Sequence, residues 1–330
     1  MDLGPLGNVV PLVWSAKYEI MDIKHARRAQ MTPSERETLL SQWIKPSSTD
    51  EVAQQERAER MVSEAISASG AFTGVSKLIY AKGSYANNTN VRRDSDVDIV
   101  VECHECTYWD YDSSVTQPSP PIGSPYKGEW TPDKWRSEVV RALAAKFGGS
   151  QVDTSGSVAI NIPEVPGSRP SIDVVPSFNY RRYTDAAKTR FHQGSCVFPK
   201  SGSKIVNWPQ QQLDNGRKKN DNTGKRYKNF VRALKNAENV LVKNGSVEEV
   251  PSYLMECLIY VVANSTLTQS DLSGGFKVTL AELYNGLKDE ATYSQWVEPN
   301  HLKWLFRGTK KWTPSQAKEL VLEAWRLLDY

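Results

Sequence analysis

The stretch "KGSYANNTNVRRDSDVDIVVE", residues 82–102, decides how the chain folds. Its end, "DVDIVVE", is apolar almost throughout, as a strand in the middle of a sheet is. Yet it carries Asp96 and Asp98 two residues apart. Successive side chains of a strand point to opposite faces, so the two carboxylates project together while Val97 and Ile99 project the other way. Aligned like charges repel unless something positive lies between them. Just upstream, "SKLIYAKGSY" reads as a short strand ending in a Gly-Ser turn. Gly83 lets the backbone approach a phosphate closely, and the amides that follow, with the Ser84 hydroxyl, can donate to it.

A third carboxylate fits the same pattern. Asp173, in "SIDVVP", stands between Ile172 and Val174 on another expected strand. It could belong to an edge strand or pair with Arg181 or Arg182. The alternative is that Asp96, Asp98 and Asp173 together hold divalent cations. Mg²⁺ prefers a few carboxylates plus waters and substrate phosphates. Two such ions clamp the attacking and leaving oxygens of a phosphoryl transfer, and would supply the missing positive charge.

With eleven residues between Ser84 and Asp96, the pattern G-S-x₁₁-D-x-D followed by a strand Asp resembles the polymerase-β-like nucleotidyltransferase superfamily. "IVNWPQQQLDNGRKKNDNTGKRYKNFVRALKNAENV" and "VPSYLMECLIYVV" narrow the likeness to the cGAS/DncV-like nucleotidyltransferases, over roughly residues 75–265. The resemblance implies an α+β, two-lobed fold: a nucleotidyltransferase core, a mixed sheet with flanking helices, packed on a C-terminal helical lobe. It implies NTP substrates, ATP and GTP among them, and two Mg²⁺ ions for which Mn²⁺ substitutes. The product would be a cyclic di- or trinucleotide second messenger, made with release of pyrophosphate and read by a separate effector receptor in bacterial anti-phage signalling. Rival readings are a linear oligonucleotide synthase, an RNA nucleotidyltransferase, or a catalytically silent nucleotide-binding regulator. The family also suggests a monomer and leaves open an activating partner protein; no segment resembles a zinc-ribbon sensor of double-stranded DNA.

In the second half a polar stretch, "QQLDNGRKKNDNTG", leads into helices expected over about 223–243, 251–264, 278–290 and 314–329, and these carry further candidates. On an expected helix over 223–243, Tyr227, Phe230, Val231, Leu234 and Leu241 form an apolar stripe. Lys225, Lys228, Arg232 and Lys235 form a basic one beside it. Such a stripe is commonly a solvated face, though no acid interleaves at helical spacing until Glu238. The resemblance puts Lys228 and Lys235 on the triphosphate of the donor nucleotide. It puts Ser252 on phosphate and Tyr253 against the base; the plain alternative is an N-cap serine and a packing tyrosine.

The rest bounds the setting. A balance of 41 Lys and Arg against 38 Asp and Glu does not suggest a coat for nonspecific nucleic-acid binding. No run is long and apolar enough for a membrane span, and "MDLGPLGNVV" lacks a basic leader region, so a cytoplasmic protein is expected. "CHEC", Cys103 to Cys106, lacks the second ligand pair zinc would need, so free thiols at a strand end are the alternative. Dehydrogenase and P-loop kinase signatures are absent. Three parts are expected: a helical lead-in over 1–70, the catalytic core over 71–210 with an irregular insertion at 103–133, and a helical domain over 211–330.

Overall fold

The computed structural model describes residues 31–91, 96–118, 126–269 and 271–330. Residues 1–30 of the expected lead-in, with the leader reading, and residues 119–125 of the expected insertion lie outside the described residues. In chain order the elements are α1 (Pro33–Trp43), α2 (Thr49–Ala68), β1 (Lys77–Lys82), α3 (Gly83–Ala86), β2 (Val97–Tyr111), α4 (Pro132–Phe147), β3 (Ile160–Ile162), β4 (Ile172–Tyr183), β5 (Phe191–Val197) and β6 (Ile205–Asn207). The helical part follows: α5 (Pro209–Asn222), α6 (Arg226–Lys243), α7 (Tyr253–Val261), α8 (Asn264–Leu267), α9 (Leu272–Leu287), α10 (Glu290–Tyr293) and α11 (Pro314–Leu327).

The strands form one sheet in the order β1-β2-β4-β5-β6, with β3 also against β4. β2 and β4 run parallel, and the other pairs are antiparallel, so the sheet is mixed as expected. The apolar alternation of β2 and β4 turns Val97, Ile99, Val101, Ile172, Val174 and Phe178 into a core shared with α2 and α4. Trp135 of α4 is fully buried there, edge-on to Phe72 at 5.2 Å, and its Nε1–H donates to Val101 O at 2.9 Å. That bond ties α4 to the strand that begins at the acidic pair.

The helical lobe has its own core, in which Phe230 and Leu234 of α6 meet Leu254 and Leu258 of α7, Phe276 and Leu280 of α9, and Val321 of α11. The lead-in divides between the two cores. α1 opens on a capping box, with Glu35 N–H on Thr32 Oγ1 at 3.3 Å and Thr32 N–H on the Glu35 carboxylate at 2.7 Å, and its Leu40 joins the helical core. α2, capped by Ser48 and Glu51, gives Ala58, Val62, Ala65 and Ile66 to the sheet core. Arg36 Nη1 reaches Leu328 O (3.3 Å) and Asp329 O (3.0 Å), and Met31 N–H donates to Asp329 Oδ2 at 2.8 Å, so residue 31 lies beside the end of α11.

Three segments depart from expectation. The irregular insertion begins only after Tyr111, because β2 continues through a register shift between Cys103 and Thr107 and then pairs with β4 again. Alternating Thr107, Trp109 and Tyr111 suit a pleated surface, and the polar run before them disguises it. The polar stretch "QQLDNGRKKNDNTG" is largely helix: α5 buries only Gly216 and Asn220, and its weak apolar pattern hides it. It is parted from α6 by Gly224 (φ 53°) and Lys225 (φ 75°), both in the left-handed region. The helix expected over 278–290 starts at Leu272, capped by Asp271 Oδ1 accepting from Gly274 N–H at 2.7 Å. Gly275 in its first turn admits a neighbour: a Cβ would stand 3.2 Å from the Phe230 ring and 2.7 Å from Gln269 O.

Replacing Trp135 by Ala empties the centre of the sheet core and leaves Val101 O without its donor. The expected loss is about 3–5 kcal/mol of unfolding free energy, measured by urea denaturation.

Candidate active site

The strand register builds the acidic centre. Asp98 on β2 lies directly beside Asp173 on β4, and Lys82 on β1 lies across from Asp98 on its other side. Asn161 on β3 faces Asp173 and donates Nδ2–H to its Oδ1 at 3.0 Å. Residues in register share a face, so one row crosses four strands as Lys82, Asp98, Asp173, Asn161. Asp96 stands immediately before β2 and accepts from the Ser171 hydroxyl, at the foot of β4.

Gly83 is held at φ 74° where β1 ends, and a Cβ there would overlap Asp98 Oδ2. The glycine is therefore required twice, for its backbone and for the space the carboxylate takes. Ser84 follows in the one-turn α3.

These charges are only partly compensated. Burial raises the pKa of Asp98; the Lys82 ammonium pulls it back, and Asp173 and Asp96 raise it further. Asp96 is also raised, by burial and then by Asp173. The positive neighbour sought from the sequence is thus in part Lys82, a residue inside the opening stretch. Among the described residues no three His, Cys, Asp or Glu side chains converge closely enough to form a metal cage by themselves. Aligned carboxylates with their ionised forms disfavoured do fit a hard cation that completes its shell with water and substrate oxygens.

A cleft of about 600 Å³ opens over this row, within the size range of small-molecule sites. Asp96, Asp98, Asp173 and Ser84 line its sheet side; Lys235, Glu238, Asn239, Ser252 and Met255 line the helical side. Asn90 also faces it, its amide donating to Ser47 Oγ between α1 and α2. Ser252 sits at the start of α7 but makes no cap hydrogen bond, which leaves its exposed hydroxyl to the cleft.

Two of the expected nucleotide contacts are not brought to the cleft. Lys228 is absent from its lining; burial, then Arg217, lowers its pKa, and its backbone N–H is held by Asn220 Oδ1 at 3.1 Å. Tyr253 packs on the helical core, edge-on to Trp312 at 6.2 Å with its hydroxyl on Glu298 Oε2 at 3.3 Å. Tyr253 follows Ser252 by one residue, and adjacent helical positions do not share a face; Lys228 does share the face of Lys235 but lies two turns, about 10 Å, away along α6.

Lys235 is almost wholly buried, and behind it lies a residue the sequence reading passed over. Glu256, on α7, accepts from Lys235 Nζ at 3.3 Å, Thr89 Oγ1 at 2.5 Å, Asn87 Nδ2 at 3.2 Å and Gln212 Nε2 at 3.3 Å. A lone carboxylate inside the apolar run "YLMECLIYVV" was the available signal. The cysteines of "CHEC" are free and buried in β2; burial pushes the Cys103 thiol up to about 11, which disfavours the thiolate a metal needs. His104 Nε2 lies 2.8 Å from Glu102 Oε1 instead.

Comparison with known proteins places this geometry in a lineage. Residues 214–329 match the model of the cGAS/DncV-like nucleotidyltransferase C-terminal helical domain. The cyclic dipyrimidine nucleotide synthase CdnE of Legionella pneumophila is 37% identical over 295 residues, covering 89% of this chain and 98% of that protein. The protein of the same name from Cecembia lonarensis is 31% identical over 297 residues, with the same coverage. In three dimensions the chain resembles the Elizabethkingia meningoseptica CdnE cyclic dinucleotide synthase solved with GTP and Apcpp. That match has a TM-score of 0.73 and 26% identity, over 89% of this chain and 99% of that one. The Rhodothermus marinus CdnE c-UMP-AMP synthase with Apcpp and Upnpp also scores 0.73, at 26% identity, over 89% and 96%. With its acidic row, cleft and helical lobe all accounted for, this chain belongs to the cGAS/DncV-like nucleotidyltransferases.

Proposed function

We propose that the chain joins two nucleoside triphosphates into a cyclic dinucleotide, with pyrimidine nucleotides preferred and pyrophosphate released at each step. The observation that carries the reading is the cleft itself, with three aligned carboxylates on one wall and Lys235, Ser84 and Ser252 around the space a triphosphate would fill. The pyrimidine preference follows the two relatives named as dipyrimidine synthases.

A ribose hydroxyl of one nucleotide attacks the α-phosphate of the other, and the P–O bond to pyrophosphate breaks. Asp173, oriented by Asn161, takes the proton of the attacking hydroxyl. Lys235 faces the β- and γ-phosphates and offsets charge growing on the leaving group. Ser84, the amides of its turn and Ser252 hold phosphate oxygens. Asp96, Asp98 and Asp173 would hold two Mg²⁺ ions, which supply Lewis-acid stabilisation when bound. A second round on the linear intermediate closes the ring. The product then acts on a separate effector receptor in anti-phage signalling, the enzyme being a cytoplasmic monomer that does not sense double-stranded DNA; no helix among the described residues is long and apolar enough to cross a membrane.

Asp98→Asn lowers product formation by on the order of 10³, the worth of a charged ligand at the metals. The same change raises the metal-free melting temperature near neutral pH. A carboxyl raised in the folded state contributes its full stability below the ordinary aspartate range and loses it as pH rises through the raised value. The variant's advantage therefore shrinks as pH falls from the raised value to the ordinary aspartate range and is gone below it, and thermal melts from pH 3 to 8 measure it.

Incubation with α-labelled NTPs, phosphatase and mass analysis identifies the product. A phosphatase-resistant cyclic dinucleotide containing pyrimidine is expected; a purely purine ring overturns the base preference, and a linear product overturns cyclisation.

A further inference from the structure

We infer that Glu256 is a positioning residue of the nucleotide site, holding Lys235 and the Ser84–Asn90 turn in one fixed register. The inference rests on the nucleotide reading of the cleft.

The Glu256 and Lys235 side chains are each 4% exposed. A buried ion pair is a poor stabiliser, because desolvating both charges offsets most of their attraction, and an apolar pair of the same volume often does as well. Stability alone therefore gives little reason for the pair to be here. Its connections give a better one. The donors to Glu256 come from three places: Lys235 on α6, Gln212 on α5, and Asn87 with Thr89 in the turn that follows α3. Thr89 in turn fixes Ser84, its N–H donating to Ser84 O at 2.8 Å. Glu256 itself lies one helical turn beyond Ser252. All three cleft donors, Ser84, Lys235 and Ser252, are thereby attached to one carboxylate, which joins the sheet lobe to the helical lobe.

The lysine geometry suits this role. An ammonium has three N–H groups. Two are directed to Glu256 Oε1 at 3.3 Å and Thr89 Oγ1 at 3.4 Å. The third is left for the cleft that Lys235 lines. A rotamer-rich side chain is fixed before the ligand arrives, so binding does not have to order it. Without the carboxylate, the same lysine would have to find its position at the moment of binding, while the turn carrying Ser84 would lose two of its ties to the helical lobe and keep that of Arg232 Nη1 to Asn88 O.

The test is a double-mutant cycle on the full chain, read by binding of a non-hydrolysable NTP analogue with Mg²⁺ and by steady-state kinetics. Glu256→Gln keeps the volume and one carbonyl acceptor, and is expected to weaken analogue binding by about tenfold, the worth of one charge-assisted hydrogen bond. KM rises by that factor while kcat moves less. In the Lys235→Ala background the same change costs clearly less, because only the turn is left for the carboxylate to position. Wild-type affinity in Glu256→Gln, or an equal loss in both backgrounds, overturns the inference. Thr89→Val removes the hydroxyl between the turn and the carboxylate and leaves the ion pair, so it serves where Glu256→Gln does not fold. Binding weakened several-fold, by about the worth of one neutral hydrogen bond, supports the inference, and unchanged binding overturns it. If the wild-type chain itself binds no analogue, the nucleotide reading of the cleft fails instead.

Discussion

Everything at the centre of this molecule depends on two like charges held side by side. The parallel pairing of β2 with β4 sets Asp98 beside Asp173, and a slip of one residue would send one of them into the core beneath. The apolar faces of the strands prevent that slip: Val97, Ile99, Ile172 and Val174 must all face α2 and α4 together. Burial that stabilises the sheet thus forces a repulsion that destabilises it, and Lys82 relieves part of it at Asp98. The site is strained electrostatically by the same packing that makes it exact in geometry, a common condition where polar chemistry sits on a rigid scaffold.

The other wall of the cleft works by the opposite principle. There the buried cation has its partner. Lys235 is neutralised by Glu256, and Glu256 is surrounded by neutral donors as well. One wall keeps carboxylates in want of cations, while the other presents a cation already anchored. A polyanion with bound metal ions is the complement of the carboxylates on one side and that lysine on the other. That asymmetry is a property of the two lobes jointly, since neither the sheet nor the helices alone contains both halves.

Much of this was legible in residues 82–102 and 171–176, because strands announce their faces by alternation and an aspartate in such a run has few innocent explanations. The apolar stripe of α6 was legible for the same reason, since it rests on local spacing, while the mixed sheet came with the family resemblance. What escaped was whatever depended on distant partners. Glu256 sits 21 residues from Lys235 and well over a hundred from Asn87 and Thr89, so nothing in its neighbourhood of sequence declares four donors. Lys228 and Tyr253 were attractive by analogy, but tertiary packing decides what a helix brings to a cleft: Tyr253 is turned away from it, while Lys228 shares the face of Lys235 and stands about 10 Å, two turns, further along α6. The strand past Cys103 was hidden by a bulge, which breaks the very alternation that reveals strands.

The division of the lead-in has a topological consequence. The helical lobe is discontinuous in sequence: it borrows α1 from the beginning of the described chain and completes itself with residues 209–328. Yet residue 31 lies within hydrogen-bonding distance of residue 329. A circularly permuted chain, running from α11 directly into α1, would make the helical lobe one unbroken segment. The covalent crossings between lobes would then fall near residues 44–48 and 208. The lobes are interleaved by the order of the chain, not by the way they pack.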